Sequence, residues 1–200
     1  MKVVFSGHGS MIFYTEGGTC VWLDPFFPTD VKDKADLILI THEHFDHIGG
    51  LERVPGRESA KTVRAADVIV PGGYRWFTFK DIKVQAVMAE NKNHPASECV
   101  GYILNADSMR VYCAGDTSKT PMMEMLGDID WAFLPIDGIY NMGPREASEC
   151  AELISPRVAF PIHNDPASTK DFVFRETGFS DFKYKNTVVL RPGQEYHESR

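Results

Sequence analysis

Thr41-His42-Glu43-His44-Phe45-Asp46-His47 follows directly on the apolar run Leu37-Ile38-Leu39-Ile40. Four side chains able to ligate a metal ion, His42, His44, Asp46 and His47, therefore fall within six residues at the end of what reads as a buried strand. One loop histidine is ordinarily exposed or bonded to a neighbour; three with an aspartate in so short a span are not explained that way. Where the chain is extended, His42 and His44 point to one side by two-residue alternation. Asp46 and His47 come just beyond, where the chain turns, and approach from a second direction. Imidazole nitrogen with carboxylate oxygen suits zinc, manganese or iron.

Further candidates stand at comparable places along the chain. Asp24 follows the strand Val21–Leu23, Asp116 follows Val111–Ala114, and His163 follows Val158–Ile162. His94 lies in the loop Glu90-Asn91-Lys92-Asn93-His94-Pro95. Singly, each has a plain reading: the aspartates as turn formers, the histidines as surface residues. Together they sit beyond strand ends, where α/β proteins gather ligand groups.

The surrounding pattern predicts an α/β fold. Short strands are expected over 2–5, 11–14, 19–23, 35–40, 67–70, 74–79, 82–88, 100–104, 110–114, 131–136, 158–162 and 187–190. Helices are expected within 41–50, where Asp46 is a candidate cap and Gly49-Gly50 allows close packing, and over 57–65, 119–126, 144–154 and 168–176. Pro144 suits a first helical turn, with Glu146 near its positive end. Residues 194–200 read as a polar tail. Strands dominate early and alternate with helices late, which two sheets with helices on their outer faces would explain.

Two hundred residues suit a single domain over 1–200 with a core of its own. The formal net charge of −7 argues against a broad nucleic-acid-binding surface. Cys20, Cys99, Cys113 and Cys150 form no CxxC pair and read as reduced, with a cytoplasmic location expected. No run is long enough to span a bilayer, and the start has no signal-peptide pattern.

His42-x-His44-x-Asp46-His47 closely resembles the metallo-β-lactamase superfamily motif, and the likeness covers nearly the whole chain. The resemblance implies a four-layer αββα sandwich with two divalent ions between its sheets, zinc first, with manganese or iron as alternatives. It implies His42, His44 and His94 at the first metal, Asp46, His47 and His163 at the second, Asp116 bridging, and Asp24 orienting a metal-binding histidine. Gly7-His8, Leu23-Asp24-Pro25-Phe26, Tyr112-Cys113-Ala114-Gly115-Asp116-Thr117, Leu134-Pro135-Ile136-Asp137-Gly138, Asn141-Met142-Gly143-Pro144 and Pro161-Ile162-His163-Asn164 are similar to the ascorbate-6-phosphate-lactonase-like and related small metal-dependent hydrolases. Such relatives assemble, so a homo-oligomer is expected.

A hydroxide shared by two ions is a nucleophile near neutral pH, and the ions polarise the bond under attack. The expected activity is hydrolysis of a small anionic ester, lactone or phosphoester. Asp46 is a candidate for proton transfer besides ligation. His8 either binds a substrate oxyanion or bonds a loop, Asn164 is expected to reach the cleft, and Asn141 either touches substrate or shapes the turn before Pro144. Glu43 occupies the variable position between His42 and His44 and is not expected to ligate. The segment between the cluster and His94 is too compact for a long lid, and the insertion used by nuclease members is missing. A phosphodiesterase or nuclease, a di-iron oxygen-reducing enzyme needing a flavin partner, and a binding protein that keeps metal for stability are the rivals.

Overall fold

The computed structural model describes residues 1–198; the last two residues of the expected tail, Ser199 and Arg200, lie outside the described residues. The first sheet contains β1 (Lys2–Gly7), β2 (Ser10–Tyr14), β3 (Cys20–Leu23), β4 (Leu37–Leu39) and β5 (Lys61–Val63) in that spatial order. β1 to β3 pair antiparallel, whereas β3, β4 and β5 run parallel. A small ribbon of β6 (Ile69–Val70) and β7 (Gly73–Tyr74) leads to the second sheet. That sheet comprises β8 (Trp76–Phe79), β9 (Ile82–Met88), β10 (Val100–Ala106), β11 (Met109–Cys113), β12 (Trp131–Pro135) and β13 (Val158–Ile162), again in spatial order. β14 (Glu195–His197) returns to the first sheet beside β1.

Alternation along each strand builds the layers. Leu37 and Leu39 face the space between the sheets, with Phe5, Phe13, Leu23, Val84, Tyr102, Phe133 and Phe160. Phe13 and Phe133 meet edge to face across that space, ring centres 5.7 Å apart. Ile38 and Ile40 face the other way, into a cluster with Ile12, Trp22 and Val54 on the outside of the first sheet. Outside the second sheet, Ile103, Tyr112 and Leu134 pack against Ala147, Cys150, Ala151 and Ile154 of a helix. Each large apolar side chain buried this way stabilises the fold by about 1.5–3 kcal/mol. Apolar clusters between the two sheets and on their outer faces, where the helices lie, make the αββα sandwich that the resemblance implies.

The helices are α1 (Phe45–Ile48), α2 (Ala65–Val68), α3 (Pro144–Ile154) and α4 (Ser168–Asp171). In α3, Pro144 occupies the first turn and Ser155 closes the helix in the left-handed region, φ 53°. α1 is one turn beginning at Phe45, so Asp46 lies inside it rather than capping it. The close packing expected at the glycine pair is present at Gly50, where an added Cβ would stand 2.6 Å from the Pro25 carbonyl oxygen.

Several expected elements differ. No helix spans 57–65: Lys61–Val63 is instead strand β5, an edge segment whose exposed Lys61 and half-buried Thr62 leave only Val63 facing inward. The strand expected at 67–70 begins as α2, because the Asp67 carboxylate accepts the Arg64 backbone N–H and sets a helical turn. Residues 119–126 contain a 3₁₀ turn over Pro121–Met125. The helix expected to run to Glu176 stops after Asp171, where Phe172 turns left-handed (φ 55°) and its ring packs on Phe26 and Phe27. Thr187 makes only a single bridge to Ala159. The tail, by contrast, contains β14, held by Tyr196, whose ring meets Trp131 and Phe160 at 5.2 and 5.1 Å.

Candidate metal centre

The loop ends beyond the strands converge at one end of the sheet pair. The first sheet delivers His8 after β1, Asp24 after β3, and His42, His44, Asp46 and His47 after β4. The second delivers His94 after β9, Asp116 after β11 and His163 after β13. Asp24 anchors the turn after β4: its carboxylate accepts the Thr41 N–H at 2.8 Å and the Thr41 hydroxyl at 2.7 Å. The same carboxylate lies 2.8 Å from His47 Nδ1. His8, Asp24 and His163 all hold positive φ, at 57°, 44° and 46°. Such conformations persist in non-glycine residues only where the surroundings over-determine them.

These partners decide which ring nitrogen faces inward. His47 Nδ1–H donates to Asp24, which frees Nε2. His42 Nδ1 lies 3.0 Å from Thr41 Oγ1, whose own proton goes to Asp24, so His42 Nδ1 is the donor and Nε2 is freed. His94 Nδ1 donates to Asn91 Oδ1 at 3.0 Å. His94 Nε2 then stands 3.1 Å from His44 Nδ1. At that distance the two nitrogens share either a proton or a cation. The buried Nε2 atoms of His42, His47 and His163 have no hydrogen-bond partner.

The spacing fits an ion. His47 Nε2 lies 3.3 Å from Asp116 Oδ1, and Asp116 Oδ2 lies 3.3 Å from His94 Nε2 and 3.4 Å from His163 Nε2. His163 Nε2 is 3.5 Å from Asp46 Oδ2. Two ligands about 2.1 Å from a tetrahedral ion lie about 3.4 Å apart. The donor atoms therefore form two clusters able to coordinate metal, His42/His44/His94, of which only His44 is exposed, and the mostly buried His8/Asp46/His47/His163, joined through a third, buried grouping of His42, His47 and Asp116.

Residues 2–163 match the family described as the β-lactamase superfamily domain. The chain belongs to the metallo-β-lactamase superfamily. It is 34% identical to a UPF0173 metal-dependent hydrolase of Thermococcus kodakarensis, over 98% of this chain and 98% of that protein. A second such hydrolase, from Pyrococcus furiosus, is 31% identical over 97% of this chain and 98% of its own length. Among solved structures, a metallo hydrolase of Ignicoccus hospitalis superposes with a TM-score of 0.75 at 24% identity, covering 99% of both chains. That last likeness concerns the fold.

Burial and charge divide this metallo-β-lactamase-fold site into neutral and charged groups. Burial, with His47 nearby, lowers the His42 pKa to about 2, and burial, with His163 nearby, lowers that of His8 to about 4. His94 is lowered as well, burial leading. Burial also opposes charge on His47 and His163, but carboxylates override it. Asp116 and Asp24 hold His47 well above its ordinary value, and Asp116, Asp137 and Asp46 lift His163 to about 10. For Asp46 and Asp116, burial favours the neutral acid, yet the facing imidazoles bring both below the usual carboxylate range.

The sequence-derived candidates separate by contact. His42, His44, Asp46, His47, His94, Asp116 and His163 gather at the centre, and Asp24 stands behind His47. His8 is buried with Nε2 3.0 Å from Asp46 Oδ2, so this atom faces the carboxylate rather than open cleft. The contacts of Asn164 depart from its expected place in the cleft: its Nδ2 donates to the carbonyls of Arg175 and Thr177 at 2.6 and 3.0 Å. Polar backbone in that non-helical segment needs such partners. Glu43 points outward and pairs with Arg64. Asp137 and Asn91 stand out only in the structure. Asp137 Oδ2 lies 3.0 Å from His163 Nδ1, and Asn91 orients His94. An aspartate before glycine reads as a turn former, and Asp137 does accept the N–H groups of Ile139 and Tyr140, both at 2.7 Å. Only its placement after a strand, shared with Asp24 and Asp116, hinted at more.

The centre opens into a cleft of about 470 Å³ bordered by Phe45, Asn93, Ile139, Tyr140, Thr169 and Lys170. Among the described residues lining it, Lys170 is the one lysine or arginine. A second pocket of about 250 Å³, with Ala65, Ala66, Pro95 and Cys99 in its wall, meets the first at His44 and His94. All four cysteines are free and buried, and no helix among the described residues is long and apolar enough to cross a membrane.

Proposed function

We propose that this chain is a binuclear metal-dependent hydrolase acting on a small anionic ester, lactone or phosphoester. The observation carrying this reading is the inward convergence of imidazole nitrogens from His42, His44 and His94, beside a carboxylate-linked His47 and His163. His42, His44 and His94 would hold one ion, Asp46, His47 and His163 the other, with Asp116 between them. The imidazole-rich donor set favours zinc. Such ions supply an activated water and polarise the scissile group. The relatives named above are described as metal-dependent hydrolases, which supports the same reaction class.

The protein's own groups then have distinct tasks. Asp46, with 26% of its side chain exposed, is the most open of the site carboxylates; the facing imidazoles keep it ionised, so it would accept a hydrogen bond from the attacking water and orient it. His8, neutral near pH 7, donates Nε2–H to Asp46 and positions it. Lys170, the one lysine or arginine lining the cleft among the described residues, would attract the substrate's anionic group. Phe45, Ile139 and Tyr140, exposed by 66%, 59% and 52%, would press on the apolar part and displace water. The cleft's size suits a small molecule rather than a polymer.

The test combines metal counting with a substrate panel of lactones, anionic carboxylic esters, phosphomonoesters and an oligonucleotide. Two ions per chain and metal-dependent turnover of small anionic substrates are expected. Lys170→Ala should raise KM for anionic substrates roughly 5- to 10-fold, about 1–1.4 kcal/mol, while leaving kcat near its original value. Full metal with no turnover would establish a metal-stabilised binding protein instead. Preference for the oligonucleotide would establish a nuclease.

A further inference from the structure

We infer that Asn141 is a positioning residue that couples the two metal subsites into one unit, an inference that rests on the binuclear reading above. The residue is only 9% exposed, and its side-chain amide bonds Asp116, Asp137 and Asn91. Asn141 Nδ2 donates to Asp116 Oδ2 at 3.0 Å and to Asp137 Oδ2 at 2.8 Å. Its Oδ1 accepts from Asn91 Nδ2 at 3.0 Å. The orientation is forced, because carboxylates only accept, so the amide nitrogen must face both of them. Asn91 is fixed in the same sense: its Oδ1 accepts the backbone N–H groups of Asn93 and His94 at 2.8 and 3.0 Å.

Each of Asn141's three partners controls a different part of the centre. Asn91 sets the His94 ring, which belongs to the first cluster. Asp137 stands behind His163, in the second. Asp116 faces both. One amide thereby fixes the relative placement of two histidines and the carboxylate between them. Partners behind metal ligands commonly contribute roughly 10- to 100-fold in ion affinity. A residue shared by two subsites should act on both, and on the dependence of one loading step on the other.

Cobalt(II) titration of the metal-free full chain, followed by its visible absorption and by calorimetry, tests this without any activity assay. Wild-type protein should take up two ions. Asn91→Ala should weaken one step only. Asn141→Ala should weaken both steps by roughly 10-fold or more and separate them into distinct phases with an altered cobalt spectrum. Asn141→Ser, which disturbs the loop less, should do the same to a smaller extent and replaces the alanine variant should that one fail to fold. A merely structural role would lower the melting temperature and leave the two steps and the spectrum unchanged. Two ions bound by Asn141→Ala (or by Asn141→Ser in its place) with wild-type isotherms would overturn the inference alone, as would weakening of only the step that Asn91→Ala affects. Uptake of one ion or none by wild-type protein would overturn the binuclear reading itself.

Discussion

Asp24 touches no open space, yet three groups depend on it. With the carboxylate removed, the Thr41 N–H and the His47 Nδ1–H would be left buried and unpaired. Asp24→Ala should therefore cost about 3–5 kcal/mol, the range for breaking a buried charged contact, measured by urea unfolding in the presence of a chelator. His47 would also be free to rotate or to change tautomer, so ion affinity should fall as well. An unchanged unfolding midpoint would mean that water takes over the role of Asp24. At this scale the sequence was informative where ligand types crowd together or end a strand. Asp24, Asp116 and His163 stood out by placement, and the His42–His47 run by density. Asp137 and Asn91 did not, because an aspartate before glycine and an asparagine in a polar loop have ordinary local uses that mask a long-range one. Asn164 adjoins His163 in the chain, yet its amide nitrogen bonds the carbonyls of Arg175 and Thr177, because neighbouring side chains on a turning backbone need not point together.

A strand positions a ligand only as well as the backbone leaving it. Gly115 connects β11 to Asp116 at φ 66°, and an added Cβ would lie 2.6 Å from the Val100 carbonyl oxygen. Gly72 has a similar φ of 82°, with nothing within 4 Å of an added Cβ. Gly72→Ala should thus cost only the left-handed penalty, about 1–2 kcal/mol. Gly115→Ala should cost more and should also weaken ion binding, because the strand end must shift beneath Asp116. Melting temperatures and metal titrations of the pair check this; equal effects at both sites would remove the steric argument. Element legibility follows the same logic of burial. The strand at 37–39 is buried on both faces and announces itself as continuous apolar sequence. Edge strands β5 and β14 each turn one main residue inward, Val63 and Tyr196, which is too little to create a period. The helix at 168 is cut short by contacts with Phe26 and Phe27, from a segment far away in the chain.

Across the whole molecule, the centre joins loops of two sheets, so its charge state bears on how firmly the halves are held together. In the metal-free chain two groups of histidines oppose each other. His8 and His42, lowered to about 4 and about 2, resist protonation in the fold. Their penalty exists below the ordinary histidine value of 6.5 and disappears above it, so stability rises as pH climbs toward 6.5. His163, raised to about 10, and His47, raised in the same direction, bind protons more tightly when folded. Their contribution is complete below 6.5 and is lost as pH rises through the folded value. Metal-free protein should therefore be most stable near pH 6.5 and decline steadily toward pH 9. A bound divalent ion takes the place of those protons, and ligation requires neutral imidazole. The metal-loaded chain should then show a higher melting temperature, by mass action, and no alkaline decline between pH 6.5 and 9. Thermal melts across that range, with chelator and with zinc, decide the matter. Parallel pH profiles in the two conditions would mean that ions bind outside the His/Asp centre, because only there would a cation displace the protons held by His47 and His163.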